Sequence, residues 1–231
     1  MRKLKINFHL HTGQDPIDNV KHSEHQLIDE AAVRGYEVLS ITCHNVVIFN
    51  EDLRKYAEKK GILLIPGIEK SIHHKHVLII NATVEAQKIQ NFEDLAAYRK
   101  NHPECLVIAA HPYYLGPICL KQDLEKQIKL FDAVEYSWYH SKKFNRPNKK
   151  AVKVAEKHGL PVLGTADNHI LKYLNFTYSQ VYAEKDTAAI FAAIKKNEIE
   201  IISHNLPWWK LVTIISYMLT TSIVKQFTLK C

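Results

Sequence analysis

Short apolar runs alternate with amphipathic stretches along almost the whole chain, and that rhythm restricts the fold more than any single residue does. Lys3–Phe8, Glu37–Thr42, Ile62–Pro66, Val77–Asn81, Cys105–Ala110, Phe131–Tyr136, Pro161–Thr165 and Glu200–Ser203 read as strands. Between them, Ser23–Arg34, Glu51–Lys60, Phe92–Lys100, Lys121–Lys129, Pro147–His158 and Asp186–Lys196 read as helices. Ser23 suits an N-cap, and Gly35, Gly61 and Gly159 suit helix C′ positions ahead of strands. The order predicts an α/β fold: a distorted (β/α)7, TIM-like barrel, with a doubly wound open sheet as the alternative. Both architectures bring functional side chains to the carboxyl ends of strands. The expected division is a barrel over 1–204 and a tail over 205–231.

At 231 residues and 46% hydrophobic content, the chain can bury one sizeable core without disulfides. Its cysteines (Cys43, Cys105, Cys119, Cys231) form no C-x-x-C pair, so neither a zinc ribbon nor a redox motif is indicated. The start is a short basic strand rather than a long apolar run, and a reducing cytoplasm is the expected compartment. A net charge of +7 favours anionic partners, and lysines on solvated helix faces produce the same balance. Fourteen histidines are the anomaly, because imidazole is the commonest metal ligand; what matters is where they fall.

They fall at strand ends. His9 and His11 close the first strand at i, i+2, a spacing that aims both rings the same way. His44 and Asn45 follow the second strand, Glu69 the third, and His111 the fifth. Glu135 ends the sixth, and Asp167 and His169 follow the seventh. His76 alone stands at the start of its strand. Metal sites need this convergence, and mixed imidazole and carboxylate donors suit Mn, Zn or Fe. His22, His25, His73, His74, His102, His158 and His204 lack convergent partners in this reading.

The segments His9-Leu10-His11-Thr12, Thr42-Cys43-His44-Asn45, Ile65-Pro66-Gly67-Ile68-Glu69, Ala110-His111-Pro112 and Ala166-Asp167-Asn168-His169 resemble, in order, the motifs of the PHP (polymerase and histidinol phosphatase) superfamily. The resemblance runs from about residue 5 to 203. It implies a distorted seven-stranded barrel holding two or three divalent ions. By the same resemblance His9 and His11 would bind one metal, Glu69 would bridge two with His111 beside it, and His44 and His76 would serve a further ion. Asp167 and His169 match the closing pair, Asp15 is the best match for an acid after H-x-H, and Asp18 is the second; Glu135 ranks lower. Two positions depart from the pattern: Asn7 and Cys43 stand where the family usually has Asp. Cys43 as a soft extra ligand is the minor alternative.

The implied chemistry is hydrolysis of a phosphate ester by a metal-activated water. His44, Asp167 and Arg146 are the residues expected to act on the reacting phosphate. Arg146 and Lys143, with Lys142 beside them, would grip it; Tyr113 and His140 would contact the substrate. The expected partner is a small phosphorylated substrate, a nucleotide or a short oligonucleotide, without a stable nucleic-acid complex. Two other functions fit the sequence: a metal-bound regulatory module without catalysis, or an amidohydrolase-type enzyme acting on C–N bonds. Leu206–Val224 reads as an apolar amphipathic helix, with Trp208, Leu211, Val212, Ile215 and Leu219 on one side and Lys210, Thr213, Ser216 and Thr220 on the other. Packing on the barrel or a second copy is the expected role, and peripheral membrane contact the alternative.

Overall fold

A computed structural model describes residues 2–214 and 216. Nine strands are joined in one sheet: β1 (Arg2–Asn7), β2 (Val38–Ile41), β3 (Leu63–Ile72), β4 (Lys75–Ile80), β5 (Leu106–Ala109), β6 (Ala133–Ser137), β7 (Val162–Thr165), β8 (Thr177–Ala183) and β9 (Ile199–Ser203). The helices are α1 (Glu24–Val33), α2 (Glu51–Lys59), α3 (Phe92–Asn101), α4 (Gln122–Lys126), α5 (Arg146–His158) and α6 (Thr187–Lys195). Local chemistry sets their ends. Ser23 and Asn91 form capping boxes with Gln26 and Asp94, and Asn50 and Asp186 accept from the first turns of α2 and α6. Gly35, Gly61 and Gly159 adopt φ of +74°, +75° and +66°, the left-handed geometry a C′ position asks for.

The sheet order is β7-β6-β5-β4-β3-β2-β1-β8-β9. β1–β2–β3 and β5–β6–β7 run parallel, and β2 and β5 are buried at every position, as a sheet covered on both faces requires. The expected β–α repeat breaks in two places. β3 runs on past Pro66 and turns straight into antiparallel β4 through His73 and His74, whose φ values are +47° and +63°. β4 therefore points the opposite way, so its first residues lie at the carboxyl end of its neighbours. This explains why His76 stood at the start of a strand. The second break is β8, absent from the sequence reading. It pairs antiparallel with β1, and β9 pairs antiparallel with β8.

The sheet closes almost completely into a barrel, not the open doubly wound alternative. β7 and the β8–β9 edge meet across a seam that side chains bridge. The Ser179 hydroxyl accepts from Gly164 N at 2.8 Å and donates to Gly164 O at 3.0 Å. A Cβ on Gly164 would lie 2.6 Å from Ile201 Cγ2 and 3.1 Å from Tyr178 O, so only glycine permits this approach.

The tail begins on the same end as the carboxyl ends of the parallel strands. Leu206 N donates to His140 O, and 208–214 is helical. Leu206, Leu211 and Ile214 pack with Trp138, Tyr139 and Tyr173 in an aromatic cluster at that end. The expected apolar stripe is rotated: Leu211 is buried, but Trp208 and Val212 are 61% and 59% exposed. Ile215, Leu219, Thr220 and the rest of the stripe to Val224 lie outside the described residues. Among the described residues no helix is long and apolar enough to cross a membrane.

Candidate metal centre

Three strand ends at the carboxyl face carry a non-glycine residue in the left-handed region: Asn45 (φ +58°) after β2, His111 (φ +28°) after β5 and Asp167 (φ +41°) after β7. Such backbone costs of order 1–3 kcal/mol per residue and persists where surrounding contacts fix it. It turns the side chains that follow each strand inward. There they meet His9 and His11 from the end of β1, Glu69 from within β3, and His76 from the start of β4.

Glu69 is the hub, with 1% of its side chain exposed. Its Oε2 lies 3.2 Å from His9 Nε2, 3.3 Å from His11 Nε2 and 3.1 Å from His44 Nε2. Its Oε1 lies 2.7 Å from His76 Nδ1 and 3.2 Å from His111 Nε2. Asp167 Oδ1 completes the first set, 3.4 Å from both His9 Nε2 and His11 Nε2. Four donors about 2.0–2.1 Å from a common centre stand about 3.3 Å apart at the corners of a tetrahedron. The spacings of His9 and His11 to Glu69 and to Asp167 are of that size, and His9, His11 and Glu69 form one group able to hold an ion, with His9, His111 and Asp167 another. The ring nitrogens also face the shared space rather than each other. His9 Nε2, His11 Nε2 and His76 Nδ1 are buried and make no aligned hydrogen bond within the described residues, despite carboxylate oxygens at contact distance. Buried polar atoms without partners are costly unless a ligand answers them.

A second set lies toward the rim. Asp15 Oδ2 accepts from His11 Nδ1 at 2.8 Å, His44 Nδ1 at 2.9 Å and His44 N at 2.9 Å, while Asp15 Oδ1 accepts from Ile17 N and Asp18 N. Its oxygens are thus engaged by the protein. Asp18 Oδ2 lies 2.8 Å from His169 Nε2 and 3.6 Å from His44 Nδ1. The His169 ring stacks on His11, with centroids 4.3 Å apart.

Burial opposes charge on all these rings, yet the carboxylates prevail at most of them. Asp167, Glu69 and Glu135 raise His9 to about 10. His11 and His111 are also raised, His11 chiefly by Asp15. Burial likewise opposes charge on Asp15, Asp167 and Glu69, and the histidines nonetheless hold them well below the usual carboxylate range. His76 goes the other way, because its desolvation outweighs Glu69. A pocket that strengthens proton binding this much has a field favourable to cations.

Glu135, ranked lower as a ligand, belongs to no donor group among the described residues and instead backs the centre. Its fully buried carboxylate accepts from His9 Nδ1 at 2.8 Å, from the backbone N–H of His111 and from the Thr165 hydroxyl. A carboxylate on the far nitrogen of a ligating histidine fixes its ring and tautomer. His22, discounted as a site residue, is buried and donates through Nε2 to His11 O at 2.9 Å. Trp138 Nε1 donates to Asp167 O. The two departures from the family pattern stand outside the donor set. Asn7 braces backbone, accepting from Ala166 N at 3.0 Å and donating to Thr177 O, and Cys43 packs in the core with Sγ 3.5 Å from Thr12 Oγ1. No donor group among the described residues includes a cysteine.

The expected substrate residues belong to no donor group among the described residues. Arg146 heads α5 and is exposed, as are Lys142 and Lys143. Tyr113 lies two residues beyond His111, with Lys150 Nζ 4.4 Å over its ring. The His140 Nε2 is 2.7 Å from Ser203 Oγ, facing β9.

Residues 145–199 match the PHP-associated family. A stretch of 65 residues is 37% identical to the PolC-type DNA polymerase III of Staphylococcus saprophyticus, covering 28% of this chain and 4% of that polymerase. Among solved structures, a two-domain protein from Bacteroides vulgatus containing a predicted PHP-like metal-dependent phosphoesterase aligns with TM-score 0.63 at 19% identity, covering 88% of this chain and 65% of the other. PsfC from Pseudomonas syringae aligns with TM-score 0.63 at 14% identity, covering 99% of this chain and 100% of its own. The lesion-specific endonuclease PfuEndoQ from Pyrococcus furiosus aligns with TM-score 0.60 at 16% identity over 87% of this chain and 58% of that one. The barrel thus shares the fold of these solved structures.

Proposed function

We propose that this protein hydrolyses phosphate esters with the help of two or three divalent ions (Mn, Zn or Fe) held by His9, His11, Glu69, His76, His111, Asp167, His44, His169 and Asp18. The observation that carries the reading is that His9 and His11 each stand 3.2–3.4 Å from the carboxylates of Glu69 and Asp167, in a pocket with unanswered ring nitrogens. Bound there, divalent ions supply Lewis acidity at the phosphorus and lower the pKa of water toward neutrality.

The protein groups divide the work. Glu69 presents its two oxygens to different ring sets, Oε2 to His9, His11 and His44, and Oε1 to His76 and His111, which is the posture of a bridging carboxylate. Glu135 and Asp15 turn the His9, His11 and His44 rings from behind. Asp15, first choice as a ligand in the sequence, fits this orienting role, and Asp18 with His169 fits the rim donor role. Buried Trp138 and Tyr139, beside Asp167, exclude water from one side. Arg146, at the head of α5, and Lys143, in the loop before it, would neutralise an incoming phosphate, and Tyr113 would contact its substituent.

The deciding experiment measures metal content by mass spectrometry on protein purified without chelator, alongside His111→Ala/Asp167→Ala and a panel of p-nitrophenyl phosphate mono- and diesters. Two or three transition ions per chain, lost with turnover in the double variant, are expected. Failure to bind metal even after reconstitution would sink the proposal. An amidohydrolase from Chromobacterium violaceum also shares the fold, with TM-score 0.54 at 13% identity, so amides and lactones belong in the panel. Their cleavage without any phosphate-ester turnover would favour C–N chemistry.

A further inference from the structure

Between Glu135 and Glu156 the sequence carries six basic residues (Lys142, Lys143, Arg146, Lys149, Lys150 and Lys153) and no acidic one. All six are exposed, and none forms an ion pair among the described residues. Elsewhere the basic side chains commonly find acids: Arg54 meets Glu51 and Glu58, Arg99 meets Asp132, and Lys157 meets Glu125. Exposed Lys210, in a tail segment that also lacks acids, adds to the same end of the molecule. Like charges gathered without counterions repel one another, and they concentrate an anion that can lie across them.

The surroundings narrow what the anion is. Lys142 and Lys143 line a groove of about 320 Å³ together with Ser141, Asn205, Leu206 and Trp208. Large apolar side chains stand open beside it: Trp208 at 61%, Trp209 at 55% and Phe144 at 38% exposure. Basic side chains interleaved with exposed aromatic faces match a chain of phosphates carrying flat rings, since phosphates meet the cations and bases stack on the rings. A lone phosphomonoester would use one or two of these cations and none of the aromatics. The groove is concave, which suits a strand better than a bilayer surface. It also lies at the metal-centre end: β6 stops at Ser137 and β9 at Ser203 on that face, and Lys150 reaches over Tyr113, two residues from His111.

We infer that the basic, aromatic face formed by the β6–α5 loop, the start of α5 and the first turn of the tail docks single-stranded nucleic acid. The choice of substrate class rests on the phosphoester chemistry proposed above, but docking itself needs no metal. The full chain, treated with chelator, is titrated into a fluorescent oligothymidylate of about twelve nucleotides, within the span such surfaces cover, and anisotropy is followed at several salt concentrations. Binding that weakens steeply with salt is expected. Lys142→Gln/Lys143→Gln removes two phosphate contacts and should flatten the slope of log K against log salt by about 1.4, at about 0.7 per contact. Trp208→Ala should weaken binding about tenfold. Thermal melts matching the parent protein confirm that both variants are folded.

Absence of low-salt binding, or variants that bind like the parent, overturns the inference. So does a result in which the variants abolish co-sedimentation with phosphatidylserine vesicles but leave the oligonucleotide untouched. Because the protein carries no ions in this test, failure of phosphoester turnover would defeat the earlier proposal without moving this one.

Discussion

His9, His11 and Glu69 keep 1% or less of their side-chain surface in solvent, whereas Asp18 and His169, only one ring away, keep 17% and 10%. Glu69 stands within β3 and His9 and His11 just past the end of β1, with Glu135 fixing His9 from behind. The rim residues stand on the β1–α1 loop and just past β7, and they meet each other at 2.8 Å. Rigid, dry donors favour an ion that stays, and looser, wetter donors favour one that exchanges or meets substrate. The difference teaches that one cluster of histidines and acids can contain positions of unequal permanence.

The largest effect should come from Glu69→Ala, because this carboxylate alone touches five rings. Turnover is expected to fall by about 10³-fold, the scale of losing a central electrostatic contact. Metal analysis should show at least the inner ions gone. Full metal content in this variant would break the contrast at its root. Next comes Glu135→Leu, which leaves His9 in place but frees its ring. Chelator competition should show the inner site weakened by about 10–100-fold, with rim affinity unchanged. Equal weakening at both would erase the distinction. Asp18→Asn is smaller, with an expected loss of about tenfold in affinity, confined to the rim ion; a loss of inner metal would show that the two groups act as one.

The smallest effect is on acid stability. Burial holds His22 down to about 4, against an ordinary value of 6.5. Between those values the unfolded chain binds the proton that the folded chain refuses, so this residue makes stability fall as pH drops from about 6.5 to 4. His22→Gln removes this contribution, so the parent-minus-variant stability, measured by chemical denaturation of the chelated protein, should fall as pH drops from about 6.5 to 4. A difference that is constant with pH would mean that His22 titrates normally.

The strand ends were the legible part of the sequence. H-x-H at the end of β1, Asp-x-His after β7 and the three helix-ending glycines each state their geometry locally, through a period of two or a positive φ. The β3–β4 hairpin was hidden because its turn is His73-His74, without the Gly, Asn or Asp that marks a usual two-residue hairpin turn. β8 was hidden because its pattern is inverted. Thr177 and Ser179 face inward, while Tyr178 and Tyr182 face outward, since Ser179 is needed by Gly164. Glu135 could be placed at a strand end, but its role depends on three donors from β1, β5 and β7, which no spacing along the chain reveals. Asp15 and Asp18 stand in one group able to hold an ion, and the three backbone amides that Asp15 accepts are again invisible in the spacing.

The seam held by Ser179 has one more consequence. A sheet that ends in two free edges offers a row of unpaired amides to any passing strand, and self-assembly by strand addition begins at such edges. Here the last strands on either side, β7 and β9, are four and five residues long and face each other across a gap that only a glycine can fit. The near-closure of the barrel thus also acts as a guard against aggregation: each edge is hidden by the other, and replacing Gly164 with a larger residue would pry apart the two borders the fold keeps from its neighbours.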